Sequence, residues 1–282
     1  MKVFTQKSEL KSEIKTLKSQ AKTIGLIPTM GALHEGHLSL VRRSISENDC
    51  SVVSIFVNPT QFNNKEDLVN YPRTLEKDLE LLQTISDDIM VYTPSVEDIY
   101  DEGVVSTQFD FDGLEHEMEG KFRAGHFDGV GTIVKRLFEI VTPDNAYFGE
   151  KDFQQLAIIK KMVAKHNIPV NVVGCEILRE PNGLAMSSRN VRLKPQYAEA
   201  APFIYKTLTA AKAQFGTKSA LEITQWVENE FLKQELLELE YFTIAEEDSL
   251  KTAQNINKQK TYRAFVAVFA DDIRLIDNIA LN

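Results

Sequence analysis

The sequence predicts an α/β protein: a Rossmann-like parallel sheet with helices on both faces, followed by a smaller α+β C-terminal domain. Two observations carry this. Up to about residue 180, short β-branched runs alternate with segments of helical spacing, the grammar of parallel strands joined by crossover helices. Beyond that point two helical stretches precede three neighbouring strand-like runs, which marks a separate α+β unit. The expected division is 1–176 and 177–282.

Each element has its own local signal. Leu10, Ile14 and Leu17 follow helical spacing, with Ser8 as the expected cap. Residues 24–27 form a short apolar run that Pro28 ends, before a glycine-containing turn. A second helix is expected over 37–47. The run 51–57 is continuous and β-branched, which suits a strand buried on both faces. Leu75, Leu79 and Leu82 mark another helix, and 89–92 a short strand. Val130, Val134, Leu137 and Val141 stand at i, i+4, i+7 and i+11, an amphipathic helix. A strand over 146–148, a helix over 152–166 and a strand over 170–174 complete the first domain. Helices over 196–214 and 219–233 then precede strands over 239–245, 262–270 and 273–276. Asp271 and Asp272 supply a tight hairpin between the last two.

Composition narrows the function. The 282 residues are 43% hydrophobic and 26% charged, ordinary for a globular chain with a sizeable core. A net charge of −9 speaks against a nucleic-acid partner. It leaves room for a nucleotide held by backbone N–H groups and a few local cations. Cys50 and Cys175 stand alone beside apolar runs, so buried free thiols and a reducing compartment are expected. The N-terminus is polar and lacks the apolar stretch of a signal peptide. No apolar run approaches the ~20 residues needed to span a bilayer. A cytoplasmic protein without membrane partners is expected.

Four clusters could carry chemistry. The strongest is IPTMGALHEGH at 27–37, which follows the first apolar strand and opens the next helix. There a helix N-terminus points free N–H groups at anions, and Gly31 and Gly36 let the backbone approach a phosphate. His34 and His37 are three apart and share one face of the first turn, where imidazoles could stabilise departing pyrophosphate. A metal pair, or a plain turn with solvated histidines, would read the same way. The ending is not that of a Walker loop, nor is this a G-x-G-x-x-G fingerprint. NPTQF at 58–62 leaves Gln61 near the same rim of the sheet, an amide suited to a small hydroxy acid or simply a solvated loop residue. FGEKDFQQ at 148–155 again joins a strand to a helix. Lys151 could reach phosphate and Asp152 ribose hydroxyls, or Asp152 could merely favour the helix dipole. GLAMSSRN at 183–190 is an anion clamp or a turn with an N-cap. Arg123 and His126 could add a cation on the rim, whereas His116 and His166 are expected on the surface.

In this order and spacing PTMGALHEGH, FVNPTQF, FRAGHFDGV, FGEKDFQQL and GLAMSSRN resemble the pantoate–β-alanine ligase family. The resemblance covers 1–195 by motif and the rest by length and pattern. Wider relatives are the class I aminoacyl-tRNA synthetases and the small nucleotidyltransferases. Where a synthetase-type K-M-S-K-S loop has lysines, this chain has Ala185 and Arg189, which argues against tRNA charging. The resemblance implies ATP-dependent condensation of (R)-pantoate with β-alanine to pantothenate through a pantoyl adenylate, with AMP and pyrophosphate released and Mg2+ accompanying ATP. It implies that Met30, Gly31, Ala32, Leu33, His34, Glu35, Gly36 and His37 hold ATP, with His37 as proton donor. Gly149, Glu150, Lys151, Asp152 and Leu178 would also contact ATP, and Met186, Ser187, Ser188 and Arg189 would close over the triphosphate. His34, His37, Lys151 and Arg189 are the implied catalytic groups. Gln61 and Gln155 would hold pantoate, and Gln61 and Arg123 β-alanine. A homodimer is implied as well, with 1–176 binding ATP and pantoate, 177–282 acting as a lid, and the polar loop 63–71 as a gate. A nucleotidyltransferase acting on a phosphorylated acceptor is the alternative, and a silent nucleotide-binding regulator a second. The first does not require the pair Gln61 and Gln155 or an extra C-terminal domain, and the second would bind ATP tightly with no turnover.

Overall fold

The computed structural model describes residues 1–62, 65–101 and 103–282. Two compact units divide it: 1–150 with 154–176, and 151–153 with 177–282.

In the first unit, strands β1 (Lys2–Phe4), β2 (Ile24–Thr29), β3 (Cys50–Ile55), β4 (Met90–Tyr92), β5 (Asn145–Gly149) and β6 (Asn171–Cys175) form a sheet in the order β1-β4-β3-β2-β5-β6. Every pairing in it is parallel. The helices are α1 (Lys7–Ser19), α2 (Glu35–Glu47), α3 (Lys65–Asn70), α4 (Leu75–Gln83), α5 (Val96–Ile99), α6 (Glu119–Phe122), α7 (His126–Val141) and α8 (Phe153–Lys165). Helices flank the sheet, so its central strands are buried on both faces: Leu26 and Ile27, which point opposite ways, are both at 0% exposure. Ile27, Val53, Val91, Tyr147 and Cys175 lie on one face and pack with Leu38 and Val41 of α2 and Leu82 of α4. Each fully buried side chain of this size contributes about 1.5–3 kcal/mol.

Connections from β2 run through β3 to β4 on one side, and from β5 to β6 on the other. The strand order therefore reverses between β2 and β5. In open α/β sheets ligands bind beyond the carboxyl ends of the strands at such a reversal. Here those ends are Thr29 and Gly149.

The second unit contains α9 (Pro195–Ala200), α10 (Phe203–Gln214), α11 (Ala220–Phe231) and an antiparallel sheet of β7 (Glu238–Glu246), β8 (Tyr262–Ala270) and β9 (Ile273–Ala280). Ile204, Leu208, Ile223 and Val227 of its helices pack against Ile244, Ala264, Val266 and Leu275 of the strands. Ala270 pairs with Ile273 across Asp271 and Asp272, and Asp271 takes the left-handed conformation that aspartate tolerates.

The structure corrects several local expectations. Ser8 lies inside α1, whose N-cap is Gln6 with no side-chain cap. The three-residue edge strand β1, too short to show alternation, is absent from the sequence reading. Pro28 and Thr29 continue β2 along β3, because Pro28 lies beyond Leu26, the last residue of β2 paired to β5, and no N–H is needed there. β3 stops at Ile55 rather than 57. The expected helix 196–214 is broken into α9 and α10 next to Pro202. β9 continues to Ala280. Of the expected gate loop, Asn63 and Asn64 lie outside the described residues, while Lys65–Asn70 is helical. Cys50 is half-buried rather than buried, and burial raises the pKa of both thiols.

Candidate active site

The turn from β2 into α2 is fixed by side chains that accept its backbone N–H groups. Thr29 fixes its start: its hydroxyl donates to Ser54 O (2.8 Å) and accepts Gly31 N–H (3.2 Å). Gly31 and Ala32 both take left-handed conformations, with φ of 79° and 50°. Asp78, 1% exposed on α4, holds this strained pair by accepting Ala32 N–H at 2.9 Å and Leu33 N–H at 2.8 Å. A Cβ on Gly31 would press on the same carboxylate, at 3.1 Å. Leu33 is then buried in the core. Glu35 is exposed and paired with Arg42 (2.9 Å), which leaves its N–H on the helix end.

His34 and His37 are a capping pair. His34 is the N-cap residue, and its Nδ1 accepts Gly36 N–H at 3.1 Å. The Nδ1 of His37 reaches back to accept His34 N–H at 3.4 Å, and the ring centroids are 4.1 Å apart. A backbone N–H can only donate, so both Nδ1 atoms are unprotonated acceptors and each neutral ring carries its proton on Nε2. The expectation that both imidazoles share the first turn is met. They lie at the positive end of a 13-residue helix, worth roughly half an elementary charge.

Gln61 is not a solvated loop residue. It is buried at 8% exposure in a 3-10 turn, Pro59–Gln61, directly after β3. Its Oε1 accepts from Asn58 Nδ2 (3.1 Å) and its Nε2 donates to Met30 Sδ (3.1 Å). Asn58, itself 1% exposed, also donates to Gly129 O and accepts from Tyr100 OH (2.6 Å). His126 is buried rather than on the rim. Its Nδ1 donates to Gln61 O at 2.8 Å, and Arg123 Nη2 approaches the same oxygen at 3.5 Å. Gly129 lets the start of α7 pack on this turn, since a Cβ there would meet Thr60 O at 2.4 Å. Met30, Gln61, Arg123 and His126 are thus brought together. Gln155 is half-buried in the first turn of α8 and, among the described residues, shares no hydrogen bond with Gln61. Its neighbour Gln154 is buried and holds the backbone at Leu114, Glu117 and Glu119.

At the end of β5, Gly149 has a negative φ, and among the described residues beyond its chain neighbours no atom lies within 4 Å of where a Cβ would stand. Glu150, half-buried, begins the 3-10 turn that follows. The protein's own packing does not require glycine at 149, and the space beside this strand end is open.

The remaining candidates belong to the second unit. Lys151 Nζ is 3.5 Å from Asp152, with the lysine side chain at 19% exposure. Residues 178–186 form a small hairpin in which Leu178 O accepts Met186 N–H (3.0 Å) and Arg179 bridges Ala185. Ser187 Oγ accepts Arg189 N–H at 3.2 Å, so the turn reading is realised by this serine. Ser188 and Arg189 are half-buried. α9 begins at Pro195 without a side-chain cap. His116 is exposed, and so is His166, edge-on to Phe109. No sequence signal separates Asp78, Asn58 and Gln154 from polar neighbours such as Lys77, Thr60 and Gln155, and it is the fold that buries them. Among the described residues no group of three or more His, Cys, Asp or Glu could hold a metal ion.

The chain matches the family described as Pantoate-beta-alanine ligase over residues 2–280. It is 58% identical to a pantothenate synthetase of Flavobacterium psychrophilum over 281 residues, covering 100% of both chains. It is 57% identical to one of Christiangramia forsetii over 282 residues, again covering 100% of each. A crystal structure of pantothenate synthetase from Thermus thermophilus superposes with a TM-score of 0.91 at 39% identity, covering 100% of this chain and 99% of that one. A pantoate-beta-alanine ligase from Francisella tularensis, complexed with beta-gamma ATP and beta-alanine, gives 0.81 at 36% identity, covering 100% and 98%.

Proposed function

The chain belongs to the pantoate-beta-alanine ligase family, and from that premise we propose how its residues carry out ATP-dependent condensation of pantoate with β-alanine to pantothenate. The observation that carries the reading is the reversal between β2 and β5. One strand end opens onto a histidine-capped helix N-terminus, and the other onto the open space beside Gly149.

A pantoate carboxylate oxygen attacks the α-phosphorus of ATP, the bond to the β-phosphate oxygen breaks, and pyrophosphate leaves. The β-alanine amine then attacks the acyl carbon of the adenylate, forms the amide and releases AMP. No protein nucleophile is needed, only donors where charge develops. The residues 30–37 hold ATP at the positive end of α2, and His34 and His37 present Nε2–H to the departing oxygen, His37 as donor. Gly149 and Glu150 let the nucleotide approach the end of β5. Lys151 and Arg189 neutralise the triphosphate with Ser187, Ser188 and Met186, Asp152 accepts from ribose, and the Leu178 backbone meets adenine. Gln61 and Gln155 hold pantoate. Arg123, beside Gln61, takes the β-alanine carboxylate. Mg2+ enters as part of the nucleotide substrate, carried by phosphate oxygens rather than by a protein cage.

The decisive experiment is nucleotide product analysis with purified protein, Mg-ATP, D-pantoate and β-alanine, omitting one component at a time. Free AMP that requires both organic substrates, and pantoate-dependent pyrophosphate exchange without β-alanine, are expected. AMP retained on an acceptor, or ADP, would overturn the route.

The division of labour we infer gives ATP and pantoate to 1–176 and a closing role to 177–282. Protease protection of the second unit that did not change with ATP and pantoate would remove that role. The assembly is inferred to be a homodimer, and a monomeric mass in sedimentation would exclude it. No helix among the described residues is long and apolar enough to cross a membrane. The cytoplasmic placement we infer rests on the two free thiols, and fractionation with the soluble cytosolic marker would test it.

A further inference from the structure

We propose that Asp277 and Asn278 of β9 are positioning residues, which fix Lys151 and the 178–186 hairpin on one rigid sheet so that both meet ATP in register. This rests on the assignment of Lys151 and 186–189 to ATP. Asp277 and Asn278 are buried, at 4% and 2% exposure, and as neighbours on β9 they face opposite sides of the sheet. Buried polar groups of this kind are costly unless fully partnered. Their partners are the two nucleotide segments.

Asp277 takes Arg179 with both oxygens, at 2.6 and 3.0 Å. Arg179 is pinned further by donating to Gly183 O (3.1 Å) and by lying 3.6 Å over the ring of Tyr205. Tyr205 in turn packs on Gly183, where a Cβ would meet its ring at 2.7 Å. The hairpin that leads into Ser187, Ser188 and Arg189 is therefore held by a fork with only one geometry. Burial pushes the Asp277 carboxyl up, and the Arg179 guanidinium opposes that shift.

Asn278 grips the other segment. Its Nδ2 donates to Lys151 O at 2.9 Å, while its Oδ1 accepts from Arg263 Nη1 at 2.7 Å. Arg263 lies over the ring of Phe153, 4.1 Å from its centroid, and donates to Glu247 (2.8 Å). Two adjacent residues on one strand thus join the backbone of Lys151 to the arginine that sets the hairpin. The backbone N–H of Asn278 donates to Asp277 Oδ1 (2.8 Å) and links the two grips.

The test uses the full chain, with ATP–pyrophosphate exchange, steady-state kinetics and thermal unfolding measured together. Asn278→Asp keeps the acceptor for Arg263 and removes the donor to Lys151 O. Arg179→Lys keeps the charge beside Asp277 and removes the fork. Each is expected to raise KM for ATP or slow exchange by about tenfold or more, with KM for β-alanine unchanged. Lys151→Ala is the control for the underlying assignment. If it leaves exchange at the wild-type rate, the ATP role of Lys151 fails. If it cripples exchange while both positioning variants keep wild-type kinetics and lose only thermal stability, the assignment stands and the positioning role is overturned. Should Asn278→Asp not fold, Arg179→Lys alone decides between these outcomes.

Discussion

At His34 and His37 the helix cap selects which ring nitrogen carries the proton. Both Nδ1 atoms accept backbone N–H groups, so a donor role falls to Nε2. His37→Ala should slow pyrophosphate exchange by about 10²–10⁴-fold, with KM for β-alanine unaltered; an unchanged exchange rate would remove His37 from the first half-reaction. Away from the site, Asp49 accepts from Thr23 N, Thr23 Oγ1 and Lys22 Nζ, which draw its carboxyl down to about 2. The folded value lies below the unfolded value of about 3.9. Its contribution to stability is therefore present above about pH 4 and lost as pH falls toward 2. Asp49→Asn should destabilise the protein at pH 6, and the gap to wild type should close on acidification. A gap that stays constant from pH 6 to pH 2.5 would contradict this.

Elements place these residues, and the placement depends on groups that neighbouring elements supply. The turn into α2 is held by a carboxylate from α4, across 45 residues of chain, and Gln61 by Asn58 and by His126 from α7. Asp78→Ala would leave the N–H groups of Ala32 and Leu33 without their acceptor, at a cost of about 1–3 kcal/mol each. A lower melting temperature together with a raised KM for ATP is expected. Loss of stability with unchanged KM would mean that the turn keeps its shape without Asp78. The motif at 27–37 was legible because strand, glycine turn and histidine spacing are all local. Asp78 was not, since one acidic residue in an amphipathic helix reads as solvent-facing until the fold buries it. Gln61 shows the same limit from the other direction: a loop amide has no periodicity, and its burial is created by α7 packing on the turn through Gly129.

For the whole molecule, two separate cores predict two unfolding events. The single tryptophan, Trp226, packs against the second unit's core, so its fluorescence reports that unit while far-UV circular dichroism reports both. The two urea transitions should not coincide, and superimposable curves would show one cooperative unit instead. By itself the sequence determined the alternation of strand and helix, the change of grammar after about residue 180, and the family, because hydrophobic periodicity and contiguous motifs are properties of neighbouring residues. Only the tertiary structure decided the strand order β1-β4-β3-β2-β5-β6, and with it the reversal that sets Thr29 and Gly149 at adjacent strand ends. It alone showed that Asp78, Asn58, Asp277 and Asn278 are buried anchors. Each has a partner tens of residues away or more, and a polar side chain acquires such a role only when folding removes water and brings a distant backbone or guanidinium group to it.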